Sequence, residues 1–133
     1  MRSPRGALVK GYAEGLSASL LEKFPDAFKA VVGKKSGIYV LARNKEVYYV
    51  GMAKELPGRI KHHLDDRHRR RWDRFSFYRI GKKEYIRDIE SMLIRVVDPS
   101  GNKMKGNFGS KKNLSKRLRH EIQDWVNEQL EEF

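Results

Sequence analysis

The sequence contains no cysteine among its 133 residues. A disulfide framework and a zinc site with thiolate ligands are therefore excluded. No apolar run approaches the roughly 20 residues that a membrane-spanning helix needs, and the N-terminus has no signal-peptide apolar region. We therefore expect a soluble, cytoplasmic protein that is not bound to a membrane. The length predicts a single domain over residues 1–133.

Acidic residues are also few relative to basic ones. Lys and Arg outnumber Asp and Glu by 29 to 17, which gives a net charge of +12. An excess of this size favours a polyanionic partner, nucleic acid first among them. Residues 54–74 carry eight basic and four acidic side chains, and residues 101–120 carry seven basic and no acidic ones. From Glu121 onward there are five acids and no Lys or Arg, so the positive charge is confined to segments.

These basic segments predict one or two patches that bind phosphate groups. The candidate nucleic-acid-binding residues are Lys54, Lys61, Arg67, Arg69, Arg70, Arg71, Lys103, Lys105, Lys111, Lys112, Lys116 and Arg117. The densest run, from Arg67 to Arg74, contains Trp72 and leads into an aromatic stretch that ends at Ile80. It favours a basic loop that enters a third strand, Trp72 to Ile80; the alternative is a solvated surface.

The two runs on either side of Asn44 and Lys45 predict a β-hairpin. Alternating β-branched and aromatic residues flank Asn44, a residue that tolerates the positive φ of a tight turn. With a two-residue loop, Tyr39 and Tyr49 would lie on opposite faces of the sheet. A three-residue connection, or a bulge near residues 43–46, would place both phenols on one face. The alternative is two ordinary strand tyrosines, one in the core and one at its rim.

Three further segments lie toward the two chain ends. Residues 1–12 show no periodicity, so we expect a flexible or loosely docked start. Residues 13–35 predict a helical segment that packs on the sheet, split into two short helices by Pro25. Residues 113–133 predict a C-terminal helix. Its packing residues are expected to be Leu114, Leu118, Ile122, Trp125, Val126, Leu130 and Phe133.

The charges of this C-terminal helix oppose its macrodipole. Basic side chains occupy the early turns and acidic side chains the last ones, and each mismatch costs only tenths of a kcal/mol. Something else must therefore fix the arrangement. Our hypothesis is that the basic half contacts phosphate.

Pro57 suits the first turn of a helix that runs to about His68. Arg59 and His63, four residues apart, share a face of this helix that differs from its apolar one. A solvated basic helix with a histidine at its edge is the alternative for this pair. Beside two converging tyrosines, that alternative becomes weaker.

A helix predicted over residues 84–97 has one acidic residue in an unexpected place. At about 100° per residue, Glu90 falls inside the continuous apolar arc of this helix. A carboxylate among apolar neighbours costs several kcal/mol unless something pairs with it. A metal ion would supply that partner, and so would a structural ion pair, for example with Arg59. The residues alone leave both choices open.

Five short elements together match a known pattern. They are Gly37-Ile38-Tyr39, Tyr49-Val50-Gly51, Arg59 with His63, Glu90, and Asn102. Their order and spacing resemble the GIY-YIG nuclease domain over about residues 36–108. The resemblance implies an α+β fold, with a three-stranded, mainly antiparallel sheet flanked by helices and extra helices at both termini. One departure is Met52, where the excision-repair members of this family carry a lysine; Lys54 is close by.

The same resemblance implies a metal-dependent endonuclease that hydrolyses phosphodiester bonds in DNA. Glu90 would hold one divalent cation, and a carboxylate with water and phosphate ligands suits Mg²⁺ or Mn²⁺. Tyr39 would act as general base or relay the proton to neutral His63. A phenol with a pKa near 10 is a poor base at neutral pH. Neighbouring cations must therefore favour the phenolate, or His63 takes the role itself.

The remaining roles follow from the same resemblance. Arg59 would clamp the scissile phosphate, Tyr49 would hydrogen-bond to it or to the attacking water, and Asn102 would orient His63 or Tyr39. The substrate would be double-stranded or branched DNA in repair or restriction. We expect a monomer, although the oligomeric state stays open. The alternative is a nucleic-acid-binding module on the same fold, with weak catalysis or none.

Overall fold

The structure, a computed structural model, describes residues 6–109 and 112–132. Its elements are β1 (Val9–Ser17), α1 (Ser19–Lys23), α2 (Pro25–Val32), β2 (Gly37–Arg43), β3 (Glu46–Ala53), α3 (Leu56–His62), β4 (Arg74–Ile80), α4 (Ile86–Val97), which a 3-10 turn at Lys83–Tyr85 precedes, and α5 (Ser115–Glu131). The strands form one antiparallel sheet in the order β1-β4-β2-β3. The predicted α+β class is confirmed, with four strands rather than three. None of the helices in the described ranges combines the length and apolar composition that a bilayer crossing demands.

The sheet separates two apolar cores, because successive side chains of a strand point to opposite faces. On one face Leu41 of β2 and Phe75 of β4 pair across the strands and pack against α1, α2 and α3. On the other face Ile38 and Val50 pack against α4, through side chains that include Ile94. Residues of the Gly37–Ala53 hairpin therefore contribute to both cores.

The chain start differs from the prediction. Residues 9–17 form β1 at one edge of the sheet, so the predictions of a loose start through residue 12 and of a helix from residue 13 are wrong there. The pairing of β1 with β4 shifts register twice, and Gly15 has a φ of 66°. These irregularities break the two-residue alternation by which a strand is recognised. Helices α1 and α2 divide next to Pro25, as predicted.

The turn between β2 and β3 has two residues. Asn44 and Lys45 have φ values of 52° and 67°, as a tight hairpin turn requires, and Arg43 pairs with Glu46. One step further along the hairpin the register shifts, and Tyr48 is the extra residue of a bulge in β3.

This bulge decides where the two motif tyrosines point. Beyond it Tyr49 lies opposite Leu41, and Gly51 lies opposite Tyr39. Side chains on opposed residues share a face, so Tyr39 and Tyr49 lie on the same side of the sheet. The predicted bulge is confirmed, although it lies in β3 itself, just beyond residues 43–46.

Helix α3 ends at His62, earlier than predicted. After it, a carboxylate oxygen of Asp66 accepts the backbone N–H of His68 at 2.9 Å, an Asx-type bond that competes with helix continuation. The indole N–H of Trp72 donates to the carbonyl of His63 at 3.2 Å. Trp72 is thus a buried core residue that fixes this turn, and the strand begins only after it.

The outer edge of β3 is capped by the segment that follows α4. The side-chain amide of Asn102 makes two bonds with Val50, accepting its N–H at 3.0 Å and donating to its carbonyl at 2.8 Å. The backbone N–H of Gly101 donates to the carbonyl of Tyr48 at 2.7 Å. These bonds replace the neighbouring strand that an edge strand lacks.

Helix α5 does not pack as predicted. None of its residues is buried, and the apolar side chains expected to form its packing face are exposed. The exposed side chains are Leu114, Leu118, Ile122, Trp125, Val126 and Leu130, while Phe133 lies outside the described residues. The prediction that this stripe packs within the chain is wrong for the described part.

Asn102→Ala should lower the free energy of unfolding by about 2 kcal/mol, because the half-buried N–H and carbonyl of Val50 lose their partner. Urea denaturation followed by circular dichroism measures this change. Asn102→Asp should be at least as destabilising, since one carboxylate oxygen can accept the N–H but the other would face the carbonyl oxygen, acceptor against acceptor. The exposed Asn107→Ala serves as control. Equal stability of Asn102→Ala and wild type would show that the cap is not needed.

Candidate active site at the tyrosine–histidine cluster

Tyr39 and Tyr49 meet His63 on one face of the sheet. The two phenol rings have centroids 6.0 Å apart, and the His63 ring lies 5.3 Å from Tyr39 and 5.1 Å from Tyr49. Gly51 makes this approach possible, since a Cβ there would lie 2.4 Å from the Tyr39 hydroxyl oxygen. Gly51, the last residue of the second motif, therefore leaves the space that the Tyr39 ring on the neighbouring strand occupies.

A chain of short hydrogen bonds runs from Tyr39 through His63 to Asp66. Nδ1 of His63 lies 2.6 Å from a carboxylate oxygen of Asp66, and Nε2 lies 2.6 Å from the Tyr39 hydroxyl. An ionised carboxylate only accepts, so Nδ1 carries the proton. Nε2 is therefore the acceptor, and the Tyr39 hydroxyl donates to it.

The pKa values of these groups fix their protonation at neutral pH. Burial raises the pKa of Tyr39 well above its ordinary value, with a further contribution from Tyr49, and the guanidinium of Arg59 only partly opposes this. Burial lowers the pKa of His63, against the opposing effect of Asp66. The pair is thus a phenol and a neutral imidazole. Of the two sequence-based options, a proton acceptor at His63 is favoured over a Tyr39 phenolate.

Arg59 joins this buried pair to the surface. Its side chain is exposed, whereas those of Tyr39 and His63 are 0% and 1% exposed. Its guanidinium interacts with the hydroxyls of both Tyr39 and Tyr49, and the bond with Tyr39 is the main reason that the pKa of Arg59 is raised. Tyr49 is half-buried. Arg59 and Tyr49 are therefore the members of the group that a ligand can reach.

A second arm of the cluster was not predicted. Tyr48, the bulge residue, has its hydroxyl 2.7 Å from Nδ1 of His68, and the His68 ring lies 4.5 Å from that of Tyr49. Burial lowers the pKa of His68 to about 4, assisted by Arg67. Two tyrosine–histidine pairs thus share one carboxylate, because Asp66 also accepts the His68 backbone N–H. We call Tyr39, Tyr48, Tyr49, His63, Asp66 and His68 the tyrosine–histidine cluster.

Asp66 is the ionised member of this cluster. Burial alone would raise its pKa, but the His68 backbone N–H and the His63 imidazole lower it overall. The sequence contained a signal for Asp66, an acid three residues after the motif histidine, at a helix end. It contained none for Tyr48, whose direction depends on the bulge.

Glu90 lies on a helix that packs on the opposite face of the sheet from the tyrosine–histidine cluster. Helix α4 packs on the opposite face of the sheet, and the half-buried Glu90 carboxylate accepts the backbone N–H of Met52 at the β3 edge. Burial raises the pKa of Glu90, which that N–H and Arg87 oppose. The ion pair with Arg59 considered from the sequence is not formed in the described part of the chain. Glu90 also borders a cavity of about 480 Å³, so its carboxylate is not sealed off.

Asn102 differs from its predicted role. Its amide oxygen and nitrogen both bind the backbone of Val50, so it fixes the edge of β3 instead of orienting Tyr39 or His63. Because Val50 lies between Tyr49 and Gly51, the effect of Asn102 on the cluster is indirect.

The predicted phosphate-binding residues are all exposed where the structure describes them; Lys111 lies outside the described residues. A basic cleft that was only partly predicted lies where the strands end. It is a cavity of about 280 Å³ whose charged lining residues are all basic: Lys10, Lys34, Lys35, Lys54, Arg79 and Lys83. Within the described ranges, Nε of Arg79 is buried without a hydrogen-bond partner. Only Lys54 was predicted, because the others come from distant segments with no local excess of basic charge.

Two groups could hold a metal ion. Glu90 offers a carboxylate on a cavity, and oxygen ligands suit Mg²⁺. His63, Asp66 and His68 have ligand atoms within 4.8 Å of one another, a donor set that suits transition ions. Both imidazoles of that set are already hydrogen-bonded to tyrosines, whereas Glu90 borders an open cavity.

No family model matches this sequence, and no curated protein does. Among solved structures, the chain is similar to the GIY-YIG N-terminal endonuclease domain of UvrC from Thermotoga maritima. The magnesium-bound domain gives a TM-score of 0.51 at 17% identity, over 60% of this chain and 97% of that one. A tyrosine-to-phenylalanine variant bound to its catalytic divalent cation gives 0.52 at 16%, over 62% and 98%. This chain therefore has a GIY-YIG-like fold, as its motifs predict.

Proposed function

We propose that this protein is a divalent-metal-dependent endonuclease that hydrolyses phosphodiester bonds in DNA. The observation that carries the proposal is the convergence of Tyr39, Tyr49, Arg59 and His63 on one face of the sheet. A buried base, a proton donor to it and an exposed cation are the groups that phosphodiester hydrolysis requires. A purely structural core would not need an arginine facing two phenols.

In this proposal Arg59 and Tyr49 receive the scissile phosphate. Arg59 offers a planar charged fork at the surface, and Tyr49 a hydroxyl beside it. The flanking phosphates would bind the exposed basic side chains predicted from the sequence and those of the basic cleft. Lys54 belongs to both groups and directly follows β3, so it is our first candidate for a flanking contact.

In this proposal the proton of the attacking water is transferred to His63 by way of the Tyr39 hydroxyl. In the free protein the lone pairs of the Tyr39 hydroxyl face Arg59, while its proton is donated to Nε2 of His63. When Arg59 turns to the phosphate, the Tyr39 oxygen can accept a proton from the attacking water and pass its own to His63. Asp66 stabilises the imidazolium that results.

Glu90 is the residue proposed to hold the cation. A bound Mg²⁺ or Mn²⁺ would neutralise charge on the phosphate and on the leaving oxygen. The raised pKa of Glu90 fits a carboxylate that lacks a full counter-charge. The N–H of Met52 would orient one carboxylate oxygen and leave the other for the ion.

A binding module without catalysis is the second candidate. It is favoured by one observation: Tyr39 and His63 are almost fully closed off from solvent. Such a module would grip DNA through Arg59 and the basic cleft and would leave it intact.

Glu90→Gln should reduce nicking of supercoiled plasmid in Mg²⁺ or Mn²⁺ by about 10²-fold or more, because the amide keeps the shape but not the charge of the proposed ligand. Gel-shift binding without metal should be unchanged. The matched control is Glu84→Gln, an exposed acid just before the same helix. Full activity of Glu90→Gln would refute the metal assignment, and a wild type that binds DNA but never nicks it would favour the binding module.

Asp66→Asn tests the proton path. Asp66 raises the pKa of His63, so its loss should lower that pKa and move the acid limb of the rate–pH profile to lower pH. At the plateau, kcat should fall about 10-fold to 100-fold, because the imidazole loses its fixed tautomer, while KM stays similar. Asp65→Asn, an exposed neighbouring carboxylate, is the control. A lower rate with an unmoved acid limb would mean that Asp66 serves only the fold.

A further inference from the structure

The basic cleft gathers six cations from five segments around one small cavity. They are Lys10 of β1, Lys34 and Lys35 before β2, Lys54 after β3, Arg79 of β4 and Lys83 of the 3-10 turn. No acidic side chain lines the cavity, and among residues 6–109 and 112–132 none of the six has an ion-pair partner. Like charges held close together repel one another, so an anion bound in the cleft would relieve an unfavourable arrangement.

Two glycines leave room for basic side chains that cross the strands. Gly11 lies opposite Arg79, and a Cβ there would lie 3.5 Å from Cδ of Arg79. A Cβ at Gly81 would lie 2.5 Å from Cε of Lys10, so the Lys10 side chain occupies the space above that glycine. Nε of Arg79 is buried and has no acceptor in the described ranges, which is rare in native proteins. Because Arg79 lines the cleft, an anion there would supply the missing acceptor.

The shape of the cleft favours a terminal phosphate group over a phosphate inside a strand. An internal phosphodiester carries one charge and has a sugar on each side, which suits cations that lie in a row. A terminal phosphomonoester carries about −1.5 to −2 charge at neutral pH and has three free oxygens. In the cleft the cations surround a cavity of about 280 Å³, below the roughly 300–1,000 Å³ of ordinary small-molecule sites. A compact dianion that is approached from several sides therefore fits best.

The cleft lies close to the candidate active site and on the same face of the sheet. Arg79 pairs with the residue two positions before Tyr39, so these two side chains share a face and lie about 7 Å apart along the strands. The backbone N–H of Leu56, the first residue of α3, donates to the carbonyl of Lys35 at 2.9 Å. Arg59 follows one turn later in the same helix. A DNA strand that contacts Arg59 can therefore place a nearby end in the cleft.

We propose that the basic cleft binds a terminal phosphate of a DNA strand, and that the substrate carries a phosphorylated end or nick close to the scissile bond. Arg79 and the five lysines bind the monoester, while Arg59 and Tyr49 receive the scissile phosphate. The choice of DNA as the carrier of this phosphate rests on the proposed function. The anion site itself rests on the cleft alone.

Binding to nicked duplexes tests this proposal. Three duplexes of one sequence carry a nick with a 5′-phosphate, with a 3′-phosphate, or with hydroxyls on both sides. Fluorescence anisotropy with the full chain, without divalent metal, measures affinity in the absence of cleavage. One of the phosphorylated duplexes should bind about 10-fold more tightly than the hydroxyl duplex, because charge-assisted hydrogen bonds to the monoester are added. Equal affinity for all three would refute the proposal, even in a protein that nicks plasmid in Mg²⁺.

Substitutions in the cleft should remove this preference. Arg79→Gln should bring the affinity ratio of the two kinds of duplex close to one. Lys35→Gln with Lys83→Gln should do the same, and both positions are exposed, so this double variant keeps the test valid if Arg79→Gln is unstable. Arg69→Gln is the matched control, since it removes a positive charge from the predicted phosphate-binding loop and should weaken binding to all three duplexes equally. If the cleft variants behave like Arg69→Gln, the cleft is only a general basic surface and the proposal fails.

Inorganic phosphate separates a DNA end from a free anion as the ligand. Excess phosphate in place of chloride, at equal ionic strength, should reduce the preference of the wild type for the phosphorylated nick, because the ion competes for the cleft. Calorimetric binding of inorganic phosphate together with equal affinity for the three duplexes would mean that the cleft serves a free anion, against the proposal. A preference for the phosphorylated nick in a protein that never cleaves DNA would support the proposal and refute the nuclease function.

Discussion

One extra residue in β3 controls the geometry of the candidate site. Without the bulge at Tyr48, the two-residue turn would pair Tyr39 with Val50, and the motif phenols would lie on opposite faces of the sheet. With it, both phenols point toward α3 and the turn after it. Tyr48 itself turns to the same side and reaches His68. The bulge therefore brings three tyrosines and two histidines to one place.

The polar cluster is tolerated inside the fold because its members satisfy one another. Tyr39 and His63 are as buried as the leucines around them, and an unpaired hydroxyl or imidazole there would be costly. The carboxylate of Asp66 terminates the chain of bonds and fixes one imidazole tautomer. Arg59 connects this interior to the surface, so a ligand that attracts Arg59 would also change the pKa values of Tyr39 and His63.

The local patterns predicted much of this molecule. The hairpin, the split at Pro25 and the helix that carries Glu90 are all found in the structure, since strand alternation, helical periodicity and proline stops act over a few residues. The GIY-YIG-like fold was expected only from the resemblance of the five short motifs. Strand β1 was missed because its two register shifts hide the alternation. The partners of Asn102 and Glu90 were missed as well, since both side chains bind backbone groups of β3 that no side-chain pattern reveals.

The sequence by itself determined the hairpin, most of the helices, the motif tyrosines and the amphipathic faces, because these depend on side-chain type and local spacing. Only the tertiary structure decided that Tyr39 meets His63, that six cations from distant segments line one cleft, and that the stripe of α5 stays uncovered. Those outcomes depend on contacts between segments that are far apart in the sequence. A one-residue change in strand register moves each side chain of that strand to the other face of the sheet, while every local sequence pattern stays the same.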